Sequence, residues 1–166
     1  MRLVIGSIVI LSLIVLFLFA LFPSTVSVTR IVQINSSEDK ILNSISDLRN
    51  WKNWNEFVIF PAGKNDLYTK PDSAQVDYLR VGGNEISLSG VDRDHVYTIW
   101  SRGRKRFTGE FIVDAKNRPP IVIWTMNFDV KWYPWEKLAS MFYDKQLGPL
   151  MEKSLVQLRD QLEKQP

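Results

Sequence analysis

The chain has 166 residues, of which 45% are apolar and 23% are charged, and its formal net charge is +3. This balance is typical of one globular domain, and it excludes a disordered or collagen-like chain. With no Cys and a single His, the sequence excludes disulfides, a Cys nucleophile and a multi-histidine metal site, and we expect no metal, no cofactor and no nucleic-acid partner.

The first segment of the chain is uniformly apolar. Residues 3–22 contain no charged side chain, and their only polar side chains are Ser7 and Ser12. A helix of this length spans roughly 30 Å, the thickness of the hydrocarbon core of a bilayer. We therefore predict a transmembrane signal-anchor helix over residues 1–23, with a cleaved signal peptide as the alternative. Because Arg2 precedes the span, the positive-inside rule predicts a single-pass membrane protein whose remaining chain is extracytoplasmic.

The folded domain is predicted to cover residues 24–166 and to begin with a strand. Residues 24–34 alternate between apolar and polar side chains, as in a strand with one buried face. Residues 35–48 favour a helix with an acidic first turn. A second short helix is predicted next, in which Trp51 and Trp54 share one face. We interpret these two indoles as closing one end of the core, with ligand contact as the alternative.

The middle of the chain predicts an antiparallel meander. Residues 61–72 are polar and favour a loop. Alternation of apolar and polar side chains then predicts five strands, at residues 75–81, 84–91, 95–101, 106–113 and 121–130. The turns between them are short and rich in Gly, Asn and Pro, as in consecutive hairpins.

The chain ends in a helical segment. Apolar residues recur at helical spacing after Pro134, which suits a first turn, and Gly148 with Pro149 predicts a bend or break. One strand, two helices, five strands and a final helix predict an α+β fold in which a curved antiparallel sheet wraps the long C-terminal helix. A gap between the sheet and this helix would be an apolar cavity suited to a small ligand.

Four segments of the chain share their order and spacing with a known superfamily. They are a strand and capped helix at 28–41, a segment with two tryptophans at 47–54, a strand at 122–126 and a helix with a Gly-Pro pair at 144–155. This pattern resembles the START-like, helix-grip (SRPBCC) superfamily, in its polyketide cyclase/dehydrase-like branch. The resemblance implies a cavity for a small apolar molecule or lipid, but no particular reaction, because that branch includes enzymes, binding proteins and transfer proteins. The central stretch, 67–90, departs from the pattern and leaves the identity of the ligand open.

The candidate ligand-binding residues are large apolar side chains of the predicted sheet and last helix. They either line a cavity or fill the core, and they are Tyr78, Trp100, Phe111, Trp124, Met126, Phe128, Met141, Phe142 and Met151. No catalytic constellation is evident. His95, beside Asp92 and Asp94, is the single candidate for a general base, and the alternative is an exposed residue at a strand end.

Two further segments suggest surface roles. The basic turn at residues 101–106 favours a solvated hairpin tip over contact with an anionic lipid or phosphate. Trp132, Tyr133 and Trp135 favour packing beneath the last helix over contact with a membrane interface. The sequence as a whole predicts a membrane-anchored domain that binds or transfers a hydrophobic small molecule or lipid. The alternatives are a cyclase or dehydratase acting in the same cavity and a protein-interaction module, and the oligomeric state stays open.

Overall fold

The computed structural model describes residues 2–21, 23–59, 66–69 and 76–164. The helices in this part of the chain are α1 (Arg2–Ala20), α2 (Glu38–Ser46), α3 (Glu56–Ile59), α4 (Pro134–Ser140) and α5 (Tyr143–Glu163), with a 3-10 helix at Leu48–Asn53. The strands are β1 (Thr25–Gln33), β2 (Asp66–Thr69), β3 (Val76–Val81), β4 (Asn84–Asp92), β5 (His95–Arg102), β6 (Lys105–Asp114) and β7 (Ile121–Asp129).

The seven strands form one antiparallel sheet in the order β1-β7-β6-β5-β4-β3-β2. Strands β2 to β7 follow one another as a meander, and β1 pairs with β7 at its end. Because side chains alternate between the two faces of a strand, one face of the sheet carries most of the core. This inner face holds buried Trp100, Phe111, Trp124 and Met126, whereas Thr29, like much of the opposite, outer face, is exposed to solvent.

The helices cover the inner face of the sheet. Helix α5 packs against β1 and buries Met151, Leu155 and Leu158. Helix α2 and the 3-10 helix add Ile41 and Trp51 to the same core. The predicted α+β architecture, an antiparallel sheet with a long C-terminal helix, is confirmed.

Arg30 is a polar residue on the apolar face of β1, and its contacts with α5 explain its position. Arg30 Nη1 donates to Asp144 Oδ1 at 2.8 Å and to the carbonyl oxygen of Thr29 at 2.8 Å. The guanidinium lies against the backbone of α5, where a Cβ on Gly148 would be only 2.7 Å from Arg30 Cζ. An alanine at this position would therefore have to displace the guanidinium, which is the end of a flexible side chain.

Of the bend or break predicted at Gly148 and Pro149, the break is wrong and the bend stays a prediction. Pro149 lies inside α5, which continues from Tyr143 to Glu163, and the helical segment is interrupted earlier, between Ser140 and Tyr143. A proline removes only one backbone hydrogen bond and crowds the preceding turn. The contacts of α5 with the sheet on both sides of this position hold the helix through it.

Two other predicted elements differ from the structure. The predicted loop at 61–72 contains strand β2, which pairs with β3, while 61–65 and 70–72 lie outside the described residues. The first residue of the strand predicted at 75–81, Gln75, also lies outside them. The short helix predicted at 47–57 divides into the 3-10 helix and α3, because the backbone N–H groups of Trp54 and Asn55 both donate to the carbonyl oxygen of Trp51.

The N-terminal helix requires the largest correction. The sequence predicts that residues 3–22 cross a bilayer, and a single-pass localisation follows from that span. Among the residues whose structure is described, no helix is both long enough and apolar enough to cross a membrane. The prediction of a transmembrane anchor and a single-pass membrane protein is therefore overturned on the described residues. The division into 1–23 and 24–166 stays a prediction.

Candidate functional site

A layer of aromatic rings lies between the inner face of the sheet and the helices. It contains Trp51, Trp54, Trp100, Phe111 and Trp124, each at most 2% exposed. Neighbouring ring centroids in this layer are 4.7 to 6.4 Å apart, in stacked, tilted and edge-to-face arrangements. Such geometries are favourable for aromatic pairs, and the rings also remove a large apolar area from water.

The row of rings continues from the interior to the surface. Trp100 stacks on Phe107 with centroids 5.8 Å apart, Phe107 lies 4.8 Å from Phe128, and Phe128 lies 4.9 Å from Tyr143. Phe107 and Tyr143 are only half-buried. The layer therefore reaches solvent where α5 begins.

An apolar depression lies next to this end of the row. It has a volume of about 210 Å³ and is lined by Pro23, Val26, Ser140, Met141 and Asp144. Val26 of β1 is the register partner of Phe128 of β7 on the same face of the sheet. The depression therefore lies beside the outer end of the ring row, and its lining residues do not include the rings themselves.

The predicted ligand-binding residues fall into two groups. Six of them face the inner layer and are at most 9% exposed: Trp100, Phe111, Trp124, Met126, Phe128 and Met151. The other three do not belong to it. Tyr78 lies on the outer face together with Arg80, since Leu79 and Val81 are the buried residues of β3. Met141 and Phe142 are 62% and 55% exposed. Met141 lines the apolar depression instead.

His95 lies on the face of the sheet opposite the aromatic layer. Its neighbour Val96 is buried in the core, so the alternation of β5 directs His95 outward. His95 Nδ1 is 2.9 Å from Glu110 Oε1, and Nε2 is 3.6 Å from Asp94 Oδ1. The imidazole is half-buried rather than exposed, and its contacts are carboxylates of the outer face. It does not reach the layer that contains the predicted ligand residues.

Acidic side chains around Tyr97 give the outer face a distinct electrostatic character. Tyr97 stacks on the imidazole of His95 with ring centroids 5.8 Å apart. Partial desolvation raises the pKa of Tyr97, and the negative charges of Glu110, Asp92 and Asp94 raise it further. Together with Ser89, Thr108 and Asn127, the side chains of Tyr97 and Glu110 line a polar depression of about 330 Å³.

Sequence reasoning missed a buried polar cluster between α3 and α5. Glu56 is 2% exposed, and its Oε1 accepts from Gln157 Nε2 at 2.6 Å and lies 3.0 Å from Lys153 Nζ. The backbone N–H of Glu56 donates to Ser154 Oγ at 2.9 Å. The signal available in the sequence was the charged residue Glu56 within the mainly apolar stretch that follows Trp54. These contacts fix α3 to α5, and they engage the Glu56 carboxylate with Gln157 and Lys153.

Two of the three aromatic residues around the start of α4 are exposed, in contrast to the packing predicted for them, and Tyr133 is half-buried. Trp132 and Trp135 are each 66% exposed. Tyr133 stacks on Trp135 with ring centroids 5.0 Å apart. The basic turn lies near them, since Lys105 Nζ is 4.0 Å from Glu136 Oε1. The residues of this turn are solvated, as predicted.

Comparisons with known proteins identify the fold. No family model and no curated protein matches the chain. A START superfamily protein from Mycobacterium smegmatis superimposes with a TM-score of 0.59 at 15% identity, covering 84% of this chain and 99% of that one. The di-domain ARO/CYC protein BexL from the BE-7585A biosynthetic pathway gives a TM-score of 0.65 at 13% identity, covering 86% of this chain and 52% of that one. A protein of unknown function from Staphylococcus aureus, SA2116, gives 0.61 at 12% identity, with 84% and 94% covered. The chain therefore has the fold of the START-like and ARO/CYC proteins, as the resemblance of its sequence implied.

Proposed function

We propose that this protein binds, and thereby carries, a hydrophobic small molecule or lipid along the inner layer of its sheet. The observation that supports the proposal is the row of aromatic rings that runs from beside the apolar depression into the core. Apolar concave surfaces with few polar groups are the usual sites for small ligands. The START-like fold supports the same interpretation, because the sheet and last helix enclose the layer.

The ligand enters at the start of α5. It first occupies the depression lined by Val26 and Met141, and it then displaces the half-buried rings of Phe107 and Tyr143. The space it gains is continuous with the face of Met126, an unbranched side chain that adapts readily to new neighbours. Entry by side-chain movement leaves the sheet unchanged.

Binding is favoured over catalysis by the positions of the titratable groups. His95 lies on the outer face, and the carboxylate of Glu56 is held by Lys153 and Gln157. A cyclase or dehydratase needs a general acid or base within hydrogen-bond reach of its substrate. Such an activity is the alternative that the ARO/CYC neighbours suggest, and it would require one of these groups to leave its present partners.

The proposal can be tested by NMR on the full-length chain with ¹³C-labelled methionine methyl groups. The probe is 2-isopropylnaphthalene, which is apolar and has two fused rings. We expect the methyl signals of Met126 and Met141 to shift together and to saturate at the same probe concentration. A response of Met141 alone would indicate adsorption to the exposed surface, and it would contradict the proposal, as would no response at all.

A matched pair of variants locates the entrance. Val26→Trp fills the depression from the inner face of β1, and we expect it to weaken probe binding by about tenfold or more. Ile31→Trp makes the same type of change on the outer face of the same strand, where Ile31 is 63% exposed, and we expect unchanged binding. Equal affinities of the two variants would exclude entry at this depression.

A further inference from the structure

The tryptophans of the inner layer differ in how their indole nitrogens are satisfied. Trp51 Nε1 donates to the carbonyl oxygen of Ile45 at 2.8 Å. Trp100 Nε1 donates to Thr98 Oγ1 at 3.0 Å, and that hydroxyl donates in turn to the carbonyl oxygen of Gly109. For these two indoles the fold supplies the acceptor. Their role is accounted for by packing and internal hydrogen bonding.

The indoles of Trp54 and Trp124 have no such acceptor. Both residues are 0% exposed, and neither Nε1 has a hydrogen-bond partner among the described residues. Buried indole N–H groups ordinarily find a partner, since an unpaired donor in an apolar interior is costly. Asn55 Nδ2, Gln157 Oε1 and Gln161 Oε1 are also buried without a partner among the described residues, and Trp54 and Trp124 are the two indoles of this set.

The two indoles are neighbours in the layer, and Trp124 adjoins Trp100, the inner end of the ring row, with ring centroids 6.4 Å apart. The centroids of Trp54 and Trp124 are 6.4 Å apart in an edge-to-face arrangement, and both rings contact Phe111, at 6.1 Å from Trp54 and 4.7 Å from Trp124. Trp124 lies four residues before Phe128 on β7, so it is about 13 Å further into the layer along the strand. An elongated molecule that enters beside Phe128 would reach this position with its leading end.

We propose that Trp54 and Trp124 bind the polar end of the ligand, and that this end is a neutral oxygen acceptor such as a ketone, an ester or a quinone carbonyl. The inference rests on the proposed function and specifies its ligand class. A pure hydrocarbon would leave both donors unpaired, whereas a carbonyl oxygen has two lone pairs and accepts two N–H groups. The ligand is therefore an apolar molecule with a carbonyl at its buried end.

The charges around the layer select against an ionised ligand. The guanidinium of Arg30 is paired with Asp144, and the ammonium of Lys153 is paired with Glu56. A carboxylate or phosphate carried into the layer would lose its hydration without gaining one of these cations. Burial of an unpaired charge is far more costly than burial of a carbonyl that receives hydrogen bonds.

Two isosteric probes test this inference on the full-length chain. 2-Acetylnaphthalene and 2-isopropylnaphthalene have nearly the same shape, and only the first has a carbonyl. We expect the wild-type protein to bind the acetyl compound about fivefold to thirtyfold more tightly, the range given by one or two net hydrogen bonds of about 1 kcal/mol each. We also expect the indole ¹⁵N–¹H signals of Trp54 and Trp124 to move downfield with the acetyl compound only, and those of Trp51 and Trp100 to remain in place.

Variants separate this hydrogen bonding from packing. Trp54→Phe and Trp124→Phe remove the N–H but keep an aromatic ring, and each should reduce the ratio of the two affinities towards one. Trp51→Phe and Trp100→Phe are the matched controls and should preserve the ratio, since any change in cavity size affects both probes alike. If both probes bind equally and the four indole signals do not distinguish them, the carbonyl inference is wrong and the proposed function stands. If neither probe binds, both are wrong.

Discussion

Replacement of Gly148 by alanine should destabilise the protein, the reverse of the usual effect inside a helix. Alanine is ordinarily favoured over glycine there by about 0.5–1 kcal/mol. In α5 the new Cβ would lie 2.7 Å from Arg30 Cζ and would displace the guanidinium from Asp144. Overpacking of this kind costs about 1–3 kcal/mol, and the ion pair, whose carboxylate is 66% exposed, adds about 0.2–1 kcal/mol. Subtracting the preference for alanine from these two costs gives an expected net loss of roughly 0.2–3.5 kcal/mol.

A double-mutant cycle with Arg30→Ala isolates the contact. The new alanine also precedes Pro149, and residues before proline are disfavoured in helices, but that penalty is present in both backgrounds and cancels. We therefore expect Gly148→Ala to cost about 1–3 kcal/mol less in the Arg30→Ala background than in the wild type. Thermal and denaturant unfolding followed by circular dichroism measures both values, with a shift of about 2–4 °C in Tm for each kcal/mol. The same cost in the two backgrounds would show that the guanidinium does not require the glycine.

Two other predictions concern charged groups away from this contact. Lys153→Met should lower the free energy of unfolding by about 2–4 kcal/mol, and Glu56→Gln by only about 1 kcal/mol. The difference is expected because the Glu56 carboxylate is the buried partner, whereas Lys153 is 58% exposed. Denaturant titration measures both free energies of unfolding, and equal losses would contradict the argument. The raised pKa of Tyr97 should contribute stability at pH values below the ordinary value of about 10, and this contribution should be lost as the pH rises through the folded-state pKa. Glu110→Gln should lower the pKa of Tyr97, as measured by tyrosinate absorbance against a Tyr97→Phe reference, and an unchanged titration would exclude the role of the carboxylate.

The sheet was predictable because one of its faces is buried along most of its length. Period-two alternation predicted strands at 84–91, 95–101, 106–113 and 121–130, and the structure has β4 to β7 at nearly these positions. Strand β2 was missed because four residues at an edge of the sheet are too short to show alternation. A local pattern therefore reports burial only where burial extends over several residues.

The helical end of the chain shows where local rules fail. The Gly-Pro pair predicts a break when each residue is considered alone, but Gly148 makes room for Arg30, which is 118 positions earlier in the sequence. A single helical period extended across the whole segment places Phe142 on the buried side. The interruption between α4 and α5 resets that period, and Phe142 becomes exposed.

The candidate site was predictable in composition but not in detail. Trp100, Phe111 and Trp124 were predicted as large apolar side chains of the sheet, and all three lie buried on its inner face. Tyr78 was predicted with them, but its parity is opposite to that of the buried residues of β3. Which indole nitrogens find an acceptor depends on ring orientation and on distant carbonyl and hydroxyl groups. No pattern in the sequence distinguishes Trp100, which is paired, from Trp124, which is not.

The two fixed points of α5 explain why ligand entry should depend on side chains rather than on movement of the helix. Near its start, Asp144 is bound to Arg30 of β1, and further along Ser154 and Gln157 are bound to α3. Because α5 is held at two separated points, its displacement as a rigid body would break contacts to the sheet and to α3 at the same time. Rotation of a half-buried ring such as that of Tyr143 breaks neither tie.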